Sequence, residues 1–199
     1  LSDGWRVVLA GRRAELLQQV AHESGAGRVY VSPLGDGGPT LDVSQPELMF
    51  RRWDALSLDT LTTVCGCGGG DAVAAVLPTV LAQAPRLVLD ADALNAIAQD
   101  GDLQAALAQR AGRGQDTVLM PHPLEAARLL GTDARQVQAD RLAAATALAT
   151  RFQCVAVLKG SGSIIAAPGE TPRINPTGNA RLATAGSGDV LAGWVGAHL

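Results

Sequence analysis

The chain has 199 residues and a net charge of −3, with 47% apolar residues but only 3% aromatic ones. That length suits one α/β domain, 1–199, whose core is built from Ala, Val and Leu. The acidic balance, with no Lys/Arg run interleaved with aromatics, excludes a nucleic-acid-binding surface.

In chain order, WRVVLA (5–10) predicts a first strand, RRAELLQQVAHE (12–23) a helix with Leu16, Leu17, Val20 and Ala21 on its apolar face, and SGAG its stop. RVYVS (28–32) predicts a second strand. Residues 35–60 are rich in Gly, Pro and Asp, with a short helix expected in PELMFRRW (46–53). LTTVC (61–65) predicts a strand running into GCGGGD, and AVAAVLPTVLAQ (72–83) a helix that Pro78 should bend or divide. RLVLD (86–90) predicts the next strand, followed by a helix from DADALN to Arg110. TVLM (117–120) predicts another, followed by PHP and the helix LEAARLLG closed by Gly131.

One long Ala-rich helix is expected over 133–152, capped by Thr132 or Asp133. CVAVLKG and SIIAAPG read as neighbouring strands joined by GSGS, with a short third in RIN (173–175), and DVLAGWVGAHL (189–199) as a helix cut before any stop signal. The chain therefore reads as a fragment, with the C-terminal end the more serious of two candidate cuts. Strands alternating with helices imply a mainly parallel sheet covered on both faces.

The polar groups fall at one edge. GCGGG, Asp90, His122 and Lys159 each follow a predicted strand, and in open α/β sheets that carboxyl edge is where ligands bind. Lys159 is the single lysine beside fifteen arginines. Gly68 and Gly70 let backbone approach a ligand closely, or simply make a tight turn. In KGSGS, Gly160 and Gly162 allow amides to face a phosphate, Ser161 and Ser163 add hydroxyls and Lys159 a point charge. The bland alternative is an exposed Gly-Ser hairpin.

In AGSGDVLAG, Gly186, Ser187 and Gly188 precede a helix whose positive end suits an anion. Asp189 then either caps that helix or stands beside a bound phosphate as a base. His122, between two prolines, is aimed by its backbone. Asp90, Asp92 and Asn95 can bind metal or polar atoms, with Asp92 the better reading as a helix cap. Cys65, Cys67 and Cys154 lack zinc-site spacing and read as buried thiols in a reducing cytoplasm. No apolar run reaches the roughly 18 residues of a membrane helix and no signal peptide precedes the first strand.

In this order, LVLDADALN, VLMPHPLEAARLLG, QADRLAAATALA, VAVLKGSGSIIAAPG and INPTGNARLATAGSGDVLAG resemble the ADP-dependent NAD(P)H-hydrate dehydratases of the ribokinase-like superfamily, over about 61–199. The resemblance implies a lyase that repairs hydrated NADH or NADPH by phosphorylating the hydrate hydroxyl with ADP and eliminating phosphate. Asp189 would be the general base, and Gly186, Ser187 and Gly188 the phosphoryl pocket. Lys159, Gly160, Ser161, Gly162, Ser163 and Gly188 would hold ADP or AMP, while His122, Gly68, Gly70 and Asp189 would meet the hydrated nucleotide. Mg²⁺ would accompany the ADP, no residue being assigned to metal, and a homo-oligomer is expected.

Three features depart from the family pattern. Its first Gly-rich loop is not recognisable in VVLAGRRAELL, Cys67 stands where Pro is usual, and Leu124 where Gly is usual. The alternatives carried forward are a small-molecule kinase of the same superfamily and a non-catalytic nucleotide-binding module.

Overall fold

Strands β1 (Arg6–Ala10), β2 (Arg28–Val31), β3 (Met49–Phe50), β4 (Thr62–Cys65), β5 (Arg86–Leu89), β6 (Asp116–Leu119), β7 (Val155–Leu158), β8 (Ile164–Ala166) and β9 (Arg173–Ile174) form one sheet, ordered β3-β2-β1-β4-β5-β6-β7-β8-β9. This computed structural model describes residues 6–10, 28–34, 43 and 49–199. The helix expected over 12–23 and the Gly-rich loop sought after β1 lie outside the described residues. Pairing is parallel from β3 to β7 and antiparallel from β7 to β9.

The α-helices among the described residues are α1 (Val73–Gln83), α2 (Ala91–Gln99), α3 (Gly101–Ala108), α4 (Pro123–Leu130), α5 (Ala134–Ala139), α6 (Arg141–Phe152) and α7 (Ser187–His198). The register puts Val64 beside Val88 and Val88 beside Val118. These valines pack with Met120 and with Ala192 and Ala197 of α7 on one face of the sheet. Their neighbours Cys65, Leu87, Leu89 and Leu119 point to the other face, into the cluster that includes Leu77, Leu81, Leu94, Leu107, Leu148 and Phe152. The central strands are apolar on both sides because both sides are covered, as the α/β reading requires.

Three expectations about helices need correction. PELMFRRW contributes Met49 and Phe50 to strand β3, paired with Tyr30 and Val31, and a single 3₁₀ turn at Trp53–Ala55. Sheet pairing overrides local preference there. Helix α1 is not divided by Pro78, one of the two outcomes expected there. Pro78 and Ala74, whose carbonyl loses its helical partner, are both exposed, so water can bind that oxygen while Val73, Val76, Leu77, Val80 and Leu81 anchor the buried side.

The two long helices are each split by an aspartate outside helical conformation. Asp100 accepts from the N–H groups of Asp102 and Leu103 and restarts the chain as α3. Asp140 does the same for α6 through Ala143, while Asp133, one of the two expected caps, starts α5.

At the sheet's opposite edge, Arg110 is 1% exposed and has no carboxylate partner among the described residues. Its guanidinium donates to Leu81 O (2.7 Å), Ala84 O (2.8 Å), Asp116 O (3.1 Å) and Thr117 Oγ1 (2.7 Å), closing the C-terminal end of α1 on the start of β6. Burial pulls its pKa down to about 10, so it stays protonated at neutral pH. None of the helices among the described residues is long and apolar enough to cross a membrane.

The topology fixes where a ligand can sit. From β1 the chain moves outward to β3 and returns to β4 on the other side of β1. The strand order reverses there, and the crevice at the carboxyl ends of the strands at such a reversal is the binding position of open parallel sheets.

Candidate functional site

The segment after β4 builds one wall of that crevice. At Gly66, φ is +116°, and a Cβ would lie 2.0 Å from Asp90 O and 2.6 Å from Ala93 Cβ, so only glycine lets this loop rest on the start of α2. Gly68 and Gly70 also have positive φ. The Gly70 N–H donates to Asp92 Oδ2 at 2.8 Å. Asp92 therefore ties the glycine loop down, and the cap of α2 is Asp90, whose Oδ1 accepts from Ala91 N–H at 2.8 Å. Ala91 is held at φ +49°, a left-handed conformation that costs a non-glycine residue about 1 kcal/mol or more.

Asp90 is 1% exposed and forms an ion pair with Lys159, which arrives from the end of β7. Burial raises the Asp90 pKa to about 6 and the Lys159 ammonium holds it from rising further. The third partner comes from α7. A Cβ added at Gly188 would stand 3.5 Å from Lys159 Nζ and 3.7 Å from Asp90 Oδ2, so the first turn of α7 lies directly on the pair.

Asp189 follows at the third position of that helix. Cys67 is fully buried, and its thiol is pushed up by burial and then by the Asp90 and Asp189 carboxylates, with Lys159 opposing. Asp90, Lys159, Gly188, Asp189 and the glycine loop thus meet in one place. All three cysteines are buried free thiols.

Asp189 is not the residue that caps α7. Gly186, at φ +92°, occupies the cap position without a side-chain bond, and no donor among the described residues binds the Asp189 carboxylate. The Ser187 hydroxyl donates to Thr184 O (2.9 Å), and its N–H donates to the same oxygen (3.3 Å). Val190 N–H takes Gly186 O, leaving the Gly188 and Asp189 amides without an acceptor among the described residues. Those two N–H groups are the open end of the helix.

The hairpin from Lys159 to Ser163 borders the same edge. Lys159 N–H donates to Pro121 O at 2.9 Å, joining it to the end of β6. The Ser163 hydroxyl is turned inward to Gly160 O at 3.1 Å, whereas Ser161 is exposed.

His122 caps α4. Its Nδ1 accepts from Leu124 and Glu125 N–H while Glu125 Oε2 accepts from His122 N–H at 2.8 Å, a reciprocal capping box. With Nδ1 an acceptor, the proton sits on Nε2, 3.3 Å from Glu125 Oε1. Burial, then the Lys159 charge, lowers the ring's pKa, which keeps it neutral. Burial raises that of Glu125. Leu124, in the first turn of α4, is 46% exposed. Among the described residues no three His, Cys, Asp or Glu side chains group as a metal cage.

A sequence model of the NAD(P)H-hydrate dehydratases matches residues 14–199. The chain belongs to the NAD(P)H-hydrate dehydratase family. It is 39% identical over 183 residues to the ADP-dependent (S)-NAD(P)H-hydrate dehydratase of Neisseria meningitidis, covering 88% of this chain and 60% of that protein. It is 49% identical over 190 residues to the bifunctional NAD(P)H-hydrate repair enzyme Nnr of Moorella thermoacetica, covering 96% of this chain and 32% of that protein.

The crystal structure of a Bacillus subtilis ADP/ATP-dependent NAD(P)H-hydrate dehydratase, co-crystallised with ATP/Mg²⁺ and soaked with CoA, superposes with a TM-score of 0.73 at 29% identity, covering 96% of this chain and 72% of that one. The fold is the ribokinase-like α/β arrangement expected from the sequence.

For a chain of the dehydratase family, two side chains matter, one whose role the sequence left open and one it did not place at the site. Asp90 was open between cap, metal ligand and polar ligand, and it caps α2 while holding Lys159. Arg141, at the start of α6, donates to the hairpin carbonyls of Leu158, Lys159 and Ser161. Asn95, read as a possible ligand, accepts from Arg128 instead.

Proposed function

We propose that this protein catalyses the ADP-dependent dehydration of hydrated NADH or NADPH, as one catalytic unit spanning 1–199 and acting in the cytoplasm. The observation that carries this reading is the meeting of the Asp90–Lys159 pair with the Gly188–Asp189 turn, which sets an ammonium, two open amides and an unbonded carboxylate around one point. Asp189 takes the proton of the hydrate hydroxyl as its oxygen attacks the β-phosphorus of ADP, and the P–O bond to the α-phosphate breaks to release AMP. The ring nitrogen's electron pair then expels phosphate, a far better leaving group than hydroxide, as the adjacent proton departs and the dihydropyridine double bond is restored.

The chain's own part is positioning and charge stabilisation. Lys159 and the Gly160–Ser163 turn hold the nucleotide phosphates. The amides of Gly188 and Asp189, in the pocket begun by Gly186 and Ser187, receive the transferred phosphoryl. Gly68, Gly70 and the exposed edge of His122 border the hydrated ring. Magnesium fits here only as a companion of the phosphates: Asp90 is engaged by Lys159, no cage of three ligands exists among the described residues, and Mg²⁺ commonly keeps water and phosphate as most of its ligands. It would neutralise phosphate charge.

Incubating the full-length protein with ADP and hydrated NADH should restore the near-ultraviolet absorbance of NADH and release equal amounts of AMP and phosphate. Failure to restore NADH while a phosphate ester accumulates on another alcohol would instead make it a small-molecule kinase. Gly188→Ala gives a second check. The methyl group meets protein atoms only at ordinary contact distances, 3.5 Å and longer, so melting should be nearly unchanged. The same methyl stands where the phosphoryl group must approach, so turnover should drop while the fold remains.

A further inference from the structure

We infer that Arg141 is a positioning residue that shapes the nucleotide-binding hairpin, an inference that rests on the nucleotide reading of Lys159–Ser163 proposed above. Nη1 of Arg141 donates to Ser161 O at 2.5 Å, and Nη2 donates to Leu158 O and Lys159 O, each at 3.3 Å. One planar fork thus gathers three carbonyls of a single turn, which a point-like ammonium cannot do. Glycine is needed at position 160 by its backbone conformation, and a side chain there would push the end of Arg141 away. A Cβ at Gly160 would lie 2.9 Å from Nη2, and φ there is +143°.

The consequence for a ligand follows from peptide geometry. In a trans peptide the carbonyl and the following N–H point in opposite directions. Drawing the Lys159 and Ser161 carbonyls onto Arg141 therefore turns the N–H groups of Gly160 and Gly162 away from it. None of the N–H groups of Gly160, Ser161 and Gly162 meets an acceptor among the described residues. They form a cradle of amides with an anion's complementarity, held open from behind.

Charge points the same way. No carboxylate among the described residues lies within ion-pair reach of Arg141, and its Nε is buried without a hydrogen-bond partner. Asp140, its neighbour in sequence, is committed to the Ala143 N–H. The guanidinium charge is thus left to act on whatever the hairpin holds.

Calorimetric titration of ADP into the full-length protein, its Arg141→Met variant and its Arg141→Lys variant tests this, alongside steady-state kinetics and melting without nucleotide. Arg141→Met should lose ADP affinity by about 10–100-fold, the scale of charge-assisted hydrogen bonds. KM for ADP should rise in step, with kcat and KM for the hydrate nearly constant, the pattern of lost uniform binding. Arg141→Lys should fall between the two, and added guanidinium should restore affinity to an Arg141→Ala variant. Unchanged ADP affinity in the Met variant overturns the inference, as does a parallel loss of kcat, both KM values and melting temperature. Should the Met variant not fold, an Arg141→Lys variant binding ADP as tightly as the parent overturns it equally. A parent protein that binds no ADP defeats the nucleotide reading itself, and this inference with it.

Discussion

Asp189→Asn is expected to lower turnover of hydrated NADH by about 10²–10⁴, the usual contribution of a positioned general base, while leaving ADP affinity close to that of the parent. The substitution keeps shape and hydrogen-bonding capacity but removes the ability to accept a proton. Its structural cost is small. The cap position of α7 belongs to Gly186, and no donor among the described residues is bound to the Asp189 carboxylate. What remains is the favourable placement of a negative charge in the first turn of a helix, about 0.3–1 kcal/mol. A melting curve and an ADP titration on the same sample separate the two roles. If turnover falls less than tenfold while stability falls by as much as a cap would give, Asp189 is a helix-terminus residue and the base must be sought elsewhere. If ADP affinity is unchanged and the parent turns over no hydrate either, the protein is a binding module.

The parts of this arrangement that were legible in the sequence are those whose signal is local. Apolar runs ending in polar or glycine-rich segments marked β4 to β7 and the edge they share. Glycine and serine spacing marked the Lys159–Ser163 hairpin and the turn before α7. Breaks inside Ala-rich helices were less legible, because periodicity continues through Asp100 and Asp140. Only the non-helical backbone at those residues, with each carboxylate accepting from the next turn, reveals a new start. Pro78 misled only toward division, since the Ala74 carbonyl that it orphans belongs to an exposed residue.

Long-range partners were the least legible. The Asp90–Lys159 pair joins residues 69 apart, and Arg141 reaches Ser161 across 20. No spacing rule announces such contacts; they exist because the parallel order places the end of β5 and the end of β7 on the same edge as α6. His122 shows a further limit. The flanking prolines correctly suggested a fixed ring, but the fixing is done by the capping box with Glu125. In the proposed reaction, only the exposed part of the ring would meet substrate.

Lys159→Ala should act through both members of the ion pair, and the two effects differ in pH dependence. On the ligand side, removing a charge-assisted contact to phosphate should weaken ADP binding by about 10–100-fold. On the protein side, Asp90 is 1% exposed and loses its cation. Breaking a buried pair by removing one partner costs about 3–5 kcal/mol, and the partial exposure of Lys159, 19%, favours the lower end. That cost is limited by protonation. Burial already raises Asp90 to about 6 against an ordinary value of 3.8, with Lys159 opposing the rise. Because the folded state holds this proton more tightly than the unfolded chain, the stability it contributes is complete below about 4. It is lost as pH climbs through about 6. Without Lys159 the folded pKa rises further and the loss extends to higher pH. Urea unfolding should therefore show the variant well below the parent at pH 8 and close to it at pH 5. Adding Asp90→Asn to Lys159→Ala removes the stranded charge, so the double variant should regain stability at pH 8 yet bind ADP as weakly as the single one. Recovery of ADP affinity along with stability would mean that Lys159 serves the fold and not the nucleotide, whereas recovery of stability alone assigns the ammonium to the ligand and the carboxylate to holding it there.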